Sequence, residues 1–439
     1  MPKIKDIDEN FEKYKEVLIH RGLNSLIPII ENGIKEFKEL KELNKILKEK
    51  KTELNKINKE YIEKKEENLL KKAKLLKEEI NKLEEEVKKN EEKISKIELL
   101  LPNWIHPEVP LNIGEEYEKP IRYIGRPKVY ENQIENFIKM YPNVEFEKIN
   151  YEPLHHYSLV GKYIDQEKAG EISGSRFYYL FNELVILDLA LSLYAIEFFK
   201  NKGYSDVLMI TPYMMRKEVE EKITYFEAFQ DALFNVEDNL ILISTSEHPI
   251  IAYYKDKLFD PKDLPIKILA WTACFRKEAG AHGKDTKGIF RVKQFHKAEI
   301  HVIAKKDEDY DEVFKLADAV QEFLDSLNLP NRSVIVPSGD MDRRALIQID
   351  VQTWFPAEGK YRETHSIATM GTWVSEKLNM RYGYAGSKKE LVRNVYATAA
   401  AVERLICAIV ENHYNPKENI IEIPKVLHKY TLGVKEIKI

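Results

Sequence analysis

The sequence predicts an α+β protein in two parts, an N-terminal antiparallel coiled-coil hairpin and a body built on a mainly antiparallel sheet. Between Gly33 and Pro102 the chain contains no Gly or Pro, and apolar residues recur there every seven positions. A proline-rich stretch begins at Leu101, and beyond it short strand-like runs alternate with helical ones. With 439 residues, of which 44% are hydrophobic, the chain is long enough to form two or three domains.

Composition indicates a soluble, folded, cytoplasmic protein. No apolar run approaches the roughly 20 residues that span a bilayer, and the N-terminus is charged where a signal peptide is apolar. Cys274 and Cys407 lie far apart and belong to no Cys-x-x-Cys pair, so neither a disulfide framework nor a zinc site is expected. The net charge of −4 excludes a surface that coats nucleic acid as a whole, so any RNA contact is expected to be local.

The first predicted domain, residues 1–104, contains the hairpin. The apolar seam of its first arm consists of Leu40, Leu43, Leu47, Leu54, Ile57 and Tyr61. The seam of its second arm consists of Leu69, Leu76, Ile80, Leu83, Val87, Ile94 and Ile97. The polar stretch Glu66–Asn68 between two seams of similar length favours a hairpin with arms of about 30 residues, roughly 45 Å long. By periodicity alone, a coiled coil that only dimerises the chain fits equally well.

The second predicted domain, residues 105–439, is the body. It follows the stretch LPNWIHPEVPLN, whose three prolines forbid a continued helix. The strand-like stretches are Val207–Ile210, Leu240–Ser244, Phe290–Val292, Ile300–Ile303 and Ile347–Trp354. The helical stretches are Asn182–Lys202, Asp309–Leu327 and Tyr396–Glu411. Their alternation favours an α+β arrangement.

The segment from Thr272 to Ile303 carries the candidate chemistry. It is predicted to be two strands that flank a polar loop containing Gly280, Gly283, Lys284, Asp285, Lys287 and Gly288. Arg276 and Arg291 would bracket this loop, and a pair of guanidinium groups can hold phosphate oxygens through bidentate bonds. The alternative is that Arg276 and Glu278 are exposed strand residues that form a cross-strand ion pair.

This segment resembles motif 2 of the class II aminoacyl-tRNA synthetases, in the form found in the seryl-tRNA synthetase family. The positions that match the family pattern are Phe275, Arg276, Glu278, Ala279, Gly280, Arg291, Gln294, Phe295, Lys297 and Glu299. The helix before Gly203 and the strand that ends at Pro212 resemble motif 1, and the hairpin resembles the tRNA-binding arm of the family. The resemblance implies a serine–tRNA ligase with a tRNA-binding domain at residues 1–104 and a class II catalytic domain at residues 105–439.

The resemblance also implies a site for ATP. Arg276 would hold the α-phosphate, Arg291 would lie near the terminal phosphates, and Glu278 would accept a bond from the adenine amino group. Arg404, in the motif 3 helix, would stack on ATP and pair with its γ-phosphate, so that the adenine lies between Arg404 and Phe295. The alternative for Phe295 is an ordinary core aromatic residue.

Magnesium and serine complete the site that the resemblance implies. Glu363 would bind Mg²⁺ with Ser366 as a second oxygen ligand, although Glu363 taken alone is more typical of a surface acid. Catalytic roles would fall to Arg276, Glu363 and Arg404. Contacts to serine would come from Thr245, Glu247, Arg276, Glu299 and Thr398, with Glu299 binding the ammonium group.

Two departures from the family pattern concern the serine pocket more than the ATP site. The family has Asn-Gly-Ser-Gly or Asn-Gly-Thr-Gly before the motif 3 helix, whereas this chain has Tyr396, Ala397, Thr398 and Ala399. The added Cβ atoms and the loss of positive φ predict a different local backbone. His365 and Trp373 are also unusual, and a lone His in this position is expected to be structural.

The resemblance implies serine, tRNA(Ser) and a second copy of the chain as partners, with tRNA(Sec) as a further candidate. The homodimer would form through the apolar helix before Pro212.

Three alternatives to this function stay open. One is a ligase that loads an amino acid onto a carrier protein, which the long arm disfavours. Another is an inactive RNA-binding paralogue, suggested by the altered motif 3. The last is activation of threonine or alanine.

Overall fold

The computed structural model describes residues 2–225, 230–278, 285–384 and 386–439. The chain divides into two structural units, Met1–Trp104 and Ile105–Ile439. Among the described helices, none combines the length and the hydropathy that a membrane-spanning segment needs.

The first unit is helical and contains the hairpin. Its helices are α1 (Ile4–Glu9), α2 (Phe11–His20), α3 (Ile27–Lys64) and α4 (Glu67–Glu98). The predicted seams of α3 and α4 pack on each other, and Lys50–Glu79 and Glu36–Lys93 ion pairs join the two arms in antiparallel register. The predicted hairpin is therefore confirmed, and its seams are buried within one chain.

The hairpin begins earlier than the sequence pattern indicated. Helix α3 starts at Ile27 rather than near Ile34, because Pro28 is accommodated in the first turn, where no backbone N–H is needed. The arms are 38 and 32 residues long. The link between them is Lys65 and Glu66, and Lys65 ends α3 in a left-handed conformation with φ of +51°.

The second unit is built on an eight-stranded sheet. Its strands are β1 (Lys119–Ile124), β2 (Val207–Met209), β3 (Ile266–Phe275), β4 (Gln294–Ala304), β5 (Asn331–Ile335), β6 (Ile347–Phe355), β7 (Lys360–Gly371) and β8 (Arg393–Ala401). The strand order is β1-β5-β6-β7-β8-β4-β3-β2. Of the neighbouring pairs, only β2–β3 is parallel. The mainly antiparallel α+β fold is therefore confirmed.

Helices and small sheets surround the central sheet. The helices are α5 (Ile134–Met140), α6 (His156–Leu159), α7 (Glu167–Ser173), α8 (Glu183–Asn201), α9 (Lys217–Ile223), α10 (Glu247–Tyr253), α11 (Asp309–Ser326), α12 (Trp373–Lys377) and α13 (Val402–Asn412). Shorter strands lie at Lys128–Tyr130, Glu147–Ile149, Ile164–Asp165, Tyr179–Leu180, Met214–Arg216, Asn235–Val236, Leu240–Leu242, Leu258–Phe259, Arg381–Tyr382, Glu390–Leu391, Tyr414–Asn415, Ile420–Glu422 and Glu436–Lys438. Helices α8, α11 and α13 pack on the central sheet and bury its apolar side chains.

Two predicted elements differ in the structure. The predicted helix Tyr396–Glu411 is a helix only from Val402, because the preceding residues form β8 between β4 and β7. Burial of small side chains in the middle of a sheet outweighs the helix propensity of alanine here. Residues Phe290–Val292 are not a strand. The backbone N–H groups just before them donate to Gln166 and His156 side chains instead of to a neighbouring strand.

Candidate active site

Arg276 and Phe295 meet at the open end of the β3–β4 pair. The last residues of β3 pair with the first residues of β4, and the ladder continues one step to a bond from the Arg276 N–H to the Lys293 carbonyl, 2.9 Å. The Arg276 Nε donates to the Ser244 carbonyl at 3.1 Å, and its guanidinium lies 5.2 Å from the centre of the Phe295 ring. The structure therefore brings this predicted pair together. The predicted loop residues Gly280, Gly283 and Lys284, with Ala279, lie outside the described residues.

Glu278 and Arg291 form an ion pair. The Arg291 Nε donates to the Glu278 carboxylate at 2.5 Å, and Glu278 has a positive φ of 54°. The pair that the structure shows is thus Glu278 with Arg291, rather than Glu278 with Arg276. If the adenine amino group of a nucleotide donated to Glu278 and Arg291 donated to one of its phosphates, the ion pair between Glu278 and Arg291 would have to separate.

The candidate serine contacts surround the buried carboxylate of Glu299. One of its oxygens accepts bonds from the hydroxyls of Thr245 (2.5 Å) and Ser246 (3.1 Å), and the other accepts from the Lys297 ammonium at 2.9 Å. Thr398 is the direct partner of Glu299 on the neighbouring strand. Burial raises the pKa of Glu299, but the charge of Lys297 and these hydrogen bonds outweigh it and leave the pKa below its ordinary value. Nothing in the sequence pattern indicated that Lys297 neutralises this carboxylate.

Glu247 is held by an arginine that sequence reasoning missed. The buried Arg344 donates to Glu247 at 2.9 Å and binds both carboxylate oxygens of Asp342, and the Tyr396 hydroxyl donates to Asp342 at 3.2 Å. Burial lowers the pKa of Arg344, but the two carboxylates outweigh it and raise the pKa above its ordinary value. Because removal of one partner would leave a buried charge unpaired, Arg344 is expected to hold Glu247 in its position two residues after the candidate serine contact Thr245.

Glu363, Ser366 and Arg404 also come together. Arg404 donates to the Glu363 carbonyl at 2.9 Å and lies 3.5 Å from its carboxylate. Ser366 is hydrogen-bonded to Asp350, its direct partner on β6. Burial and the charge of Glu363 raise the pKa of Asp350 well above its ordinary value. Asp350 was also missed by sequence reasoning, because only the strand register brings it to this position.

A cavity of about 1250 Å³ opens beside these residues. We call it the arginine cavity, after Arg291, Arg362 and Arg404 in its wall. Arg362, another residue that sequence reasoning missed, lies 3.6 Å from the Phe290 ring centre and donates to Asp285 at 2.7 Å. Arg404 lies over the same ring at 4.9 Å. The predicted stacking of adenine between Arg404 and Phe295 stays a prediction.

One row of side chains crosses four adjacent strands of the sheet. Asp350 pairs with Ser366, the β7–β8 register places Ser366 beside Thr398, and Thr398 pairs with Glu299. Directly paired residues share a face of the sheet. With strands about 4.8 Å apart, the row is about 14 Å long and joins the candidate magnesium ligands to the candidate serine contacts.

The departures from the family pattern are accommodated in the core. Ala397 and Ala399 are fully buried in β8. The register between β4 and β8 shifts at Ala399, which lies between the paired residues Thr398 and Ala400 and has no partner on β4, so the family's glycine positions are replaced by a strand with a β-bulge. His365 is also fully buried and bonded to the Thr364 hydroxyl, and burial lowers its pKa to about 3. Trp373 is fully buried as well.

Comparisons with known proteins agree with this geometry. Residues 229–413 match the tRNA synthetase class II core domain (G, H, P, S and T). The serine–tRNA ligase of Ignicoccus hospitalis is 40% identical over 343 residues, which are 76% of this chain and 74% of that protein.

Two solved structures are similar to most of the chain. Seryl-tRNA synthetase from Pyrococcus horikoshii, complexed with ATP, has a TM-score of 0.95 and 38% identity, covering 100% of this chain and 99% of that one. The cytoplasmic serine–tRNA ligase of Naegleria fowleri, in complex with AMP, has a TM-score of 0.84 and 32% identity, covering 97% and 95%. Sequence identity, fold and motif residues agree, and the chain therefore belongs to the serine–tRNA ligases, a family of the class II aminoacyl-tRNA synthetases.

Proposed function

We propose that this enzyme activates serine with ATP to form seryl-adenylate and then transfers the seryl group to the 3′ end of tRNA(Ser). The observation that carries the proposal is the row from Asp350 to Glu299, which connects the arginine cavity to a buried, ionised carboxylate. A ligand along this row would meet cations at its phosphate end. At its other end, a carboxylate and hydroxyls suit the ammonium and hydroxyl of serine.

Activation needs no general base in this site. The carboxylate of serine is ionised at neutral pH, so one of its oxygens attacks the α-phosphorus as the bond to the β-phosphate oxygen breaks and pyrophosphate leaves. We propose that Arg276 stabilises the charge that rises on the α-phosphate, because its guanidinium is held beside Phe295 by a bond to the Ser244 carbonyl. The arginine cavity would receive the departing pyrophosphate, because guanidinium groups bind phosphate oxygens in pairs.

The residues beside the cavity fit Mg²⁺. Glu363 and Ser366, with Asp350 next to Ser366, offer only oxygen atoms, which are the ligands that Mg²⁺ prefers. We propose that Glu363 and Ser366 hold the ion. When bound, it would neutralise phosphate charge, while Arg404 holds the Glu363 backbone in place through its bond to the carbonyl.

The second step would use the N-terminal unit, residues 1–104, to hold tRNA. A hydroxyl of the terminal ribose, the 3′-hydroxyl by analogy with class II enzymes, attacks the seryl carbonyl carbon, and AMP leaves. Lysines on the hairpin would contact the tRNA backbone and give affinity, whereas the shape of the hairpin would select the tRNA. We place the reaction in the cytoplasm.

The test of this function is pyrophosphate exchange into ATP with serine, threonine or alanine, each with and without tRNA. We expect serine to support exchange without tRNA, with kcat/KM at least about 100-fold above that for alanine, because a site built to bond a hydroxyl is left with unpaired polar groups by an analogue that lacks one. If threonine or alanine supported faster exchange than serine, that amino acid would be the substrate and the assignment of serine would be wrong. No exchange with any of them, from a folded protein, would favour an inactive RNA-binding paralogue.

We also propose that the enzyme is a homodimer. Helix α8 exposes Val185, Leu189 and Leu193, one helical turn apart, at 38%, 50% and 51% of their surfaces. Strand β2 lies at the edge of the central sheet and exposes Leu208, and Ile210 follows it exposed. A second copy would cover this apolar surface and the open strand edge.

We expect light scattering to give about twice the 51.5 kDa of the chain at micromolar concentration. Leu189→Glu should convert the protein to a monomer, because a carboxylate would be buried in the interface without a partner. Leu75→Glu is the matched control, since Leu75 is 63% exposed and belongs to α4 of the first unit, not to α8 or β2. A wild-type monomer at this concentration contradicts the proposal.

A further inference from the structure

Three titratable side chains that the mechanism does not use meet on the face of β4 opposite to Phe295 and Lys297. They are Asp188 from α8, His296 from β4 and Glu403 from α13, and their ligating atoms lie within 4.8 Å of one another. Asp188 and Glu403 are 4% and 2% exposed. Glu403 directly precedes Arg404, and His296 lies between Phe295 and Lys297.

The carboxylate of Glu403 completes the hydrogen bonding of β4. Strand β8 ends at Ala401, opposite Lys297, so the ladder on this side of β4 stops one residue short of His296. The His296 backbone N–H donates instead to both carboxylate oxygens of Glu403, at 2.9 and 3.0 Å. The second residue of α13 thus takes the place that a strand carbonyl would occupy.

Tyr178 and His296 hold the Glu403 carboxylate, and Asp188 holds the ring of His296. The Tyr178 hydroxyl donates to Glu403 at 2.6 Å, and the His296 Nδ1 lies 3.0 Å from Asp188. Burial lowers the pKa of His296, but its bond to Asp188 and the charges of both acids outweigh it and raise the pKa. Burial and the charge of Asp188 raise the pKa of Glu403 to about 7, against the charge of His296 and the bonds from Tyr178 and the His296 N–H. Because the nearest atom of each side chain is already hydrogen-bonded, we interpret the cluster as a structural link rather than as a metal site.

We propose that Glu403 is a positioning residue for ATP, which fixes Phe295 and Arg404 relative to each other. The bond from the His296 N–H to Glu403 attaches β4 to the first turn of α13. Phe295 directly precedes His296, and Arg404 directly follows Glu403. The serine contacts Glu299 and Thr398 are fixed separately, by direct strand pairing. Loss of the link should therefore disturb the ATP side of the site more than the serine side. The inference rests on the proposed function.

The test is steady-state pyrophosphate exchange with ATP and serine varied in turn. We expect Glu403→Ala to raise KM for ATP about 10-fold or more and to leave KM for serine within about 2-fold, since the strand–helix bond is lost while the serine contacts stay. Glu403→Gln keeps one carbonyl acceptor for the His296 N–H, so its KM for ATP should lie within about 3-fold of wild type. Glu312→Ala is the matched control. Glu312 is another buried glutamate bonded to a tyrosine, Tyr204, and it should leave both KM values unchanged.

Equal changes in both KM values, or an unchanged KM for ATP in folded Glu403→Ala, would overturn the positioning role. Wild-type protein that fails to exchange with serine would instead overturn the proposed function, so the two failures are distinguishable. If Glu403→Ala does not fold, Tyr178→Phe provides the test. It removes only the hydroxyl that holds the carboxylate, and we expect KM for ATP to rise about 3-fold with KM for serine unchanged. No rise in that variant would overturn the proposal.

Discussion

Arg276→Ala is expected to lower kcat/KM for serine-dependent pyrophosphate exchange by about 100- to 1000-fold, which corresponds to roughly 2.7–4 kcal/mol of transition-state stabilisation. In the structure the Nε–H of Arg276 bonds to the Ser244 carbonyl, which aims the rest of the guanidinium fork beside Phe295. A preorganised cation needs little reorganisation during the reaction, so it stabilises most strongly the transition state, in which the α-phosphate gains charge. The change should appear mainly in kcat.

Two variants separate this role from folding. Arg276→Lys keeps the positive charge but loses the planar guanidinium and its paired hydrogen bonds, so we expect kcat/KM for exchange to lie between the values for the wild type and Arg276→Ala. Arg122→Ala is the control, because Arg122 is a partly exposed arginine that pairs with Asp318 outside the candidate site, and it should leave exchange unchanged. Thermal unfolding reports whether each variant is folded. Full exchange by a folded Arg276→Ala protein would contradict the assignment.

Shortening the hairpin is expected to abolish tRNA charging and to leave seryl-adenylate formation intact. Removal of the whole Gly- and Pro-free segment, Ile34–Leu101, would damage the base of the unit, because Glu98 accepts bonds from Lys3 and the Ile4 N–H. Removal of residues 48–82, closed by a short turn, instead cuts both arms at the same level of the antiparallel register. The base of the first unit keeps its contacts.

The deleted part contains twelve lysines and eight glutamates, on a chain whose net charge is −4. If these lysines contact tRNA phosphates, charging by the wild type should weaken steeply as salt rises, whereas exchange should respond much less. The measurement compares exchange with aminoacylation for the intact and shortened proteins over a salt series. Aminoacylation that survives the deletion would show that the hairpin is only a scaffold. Loss of both activities would show that the two units do not act independently.

The periodic parts of the fold could be read from the sequence. The seams from Leu40 to Ile97 predicted two helices that each bury one apolar face, and the polar stretch Glu66–Asn68 between them favoured a hairpin over a coiled coil between two chains. Helices α8 and α11 were predicted to within about a residue at each end. Strand β8 was not, because its alanines favour a helix locally, and their strand conformation depends on β4 and β7 lying on either side.

For the candidate site, the sequence by itself determined which residue types are present and, through the resemblance, which motif each belongs to. Arg276 and Phe295 follow from motif spacing alone, because they lie at the ends of two paired strands. Only the tertiary structure decided the partners of the buried charges. It pairs Lys297 with Glu299 and Arg344 with Glu247, residues that the spacing does not connect.

The physical reason is that a buried charge needs an opposite charge nearby in space, and the residue that carries this opposite charge can be distant along the chain. The register of β6 and β7 brings Asp350 to Ser366, and the end of β8 leaves the His296 N–H for Glu403. Sequence pattern therefore determined the elements and the chemical groups of this protein. The packing of the sheet decided which groups act together, because strand pairing fixes neighbours that are far apart along the chain.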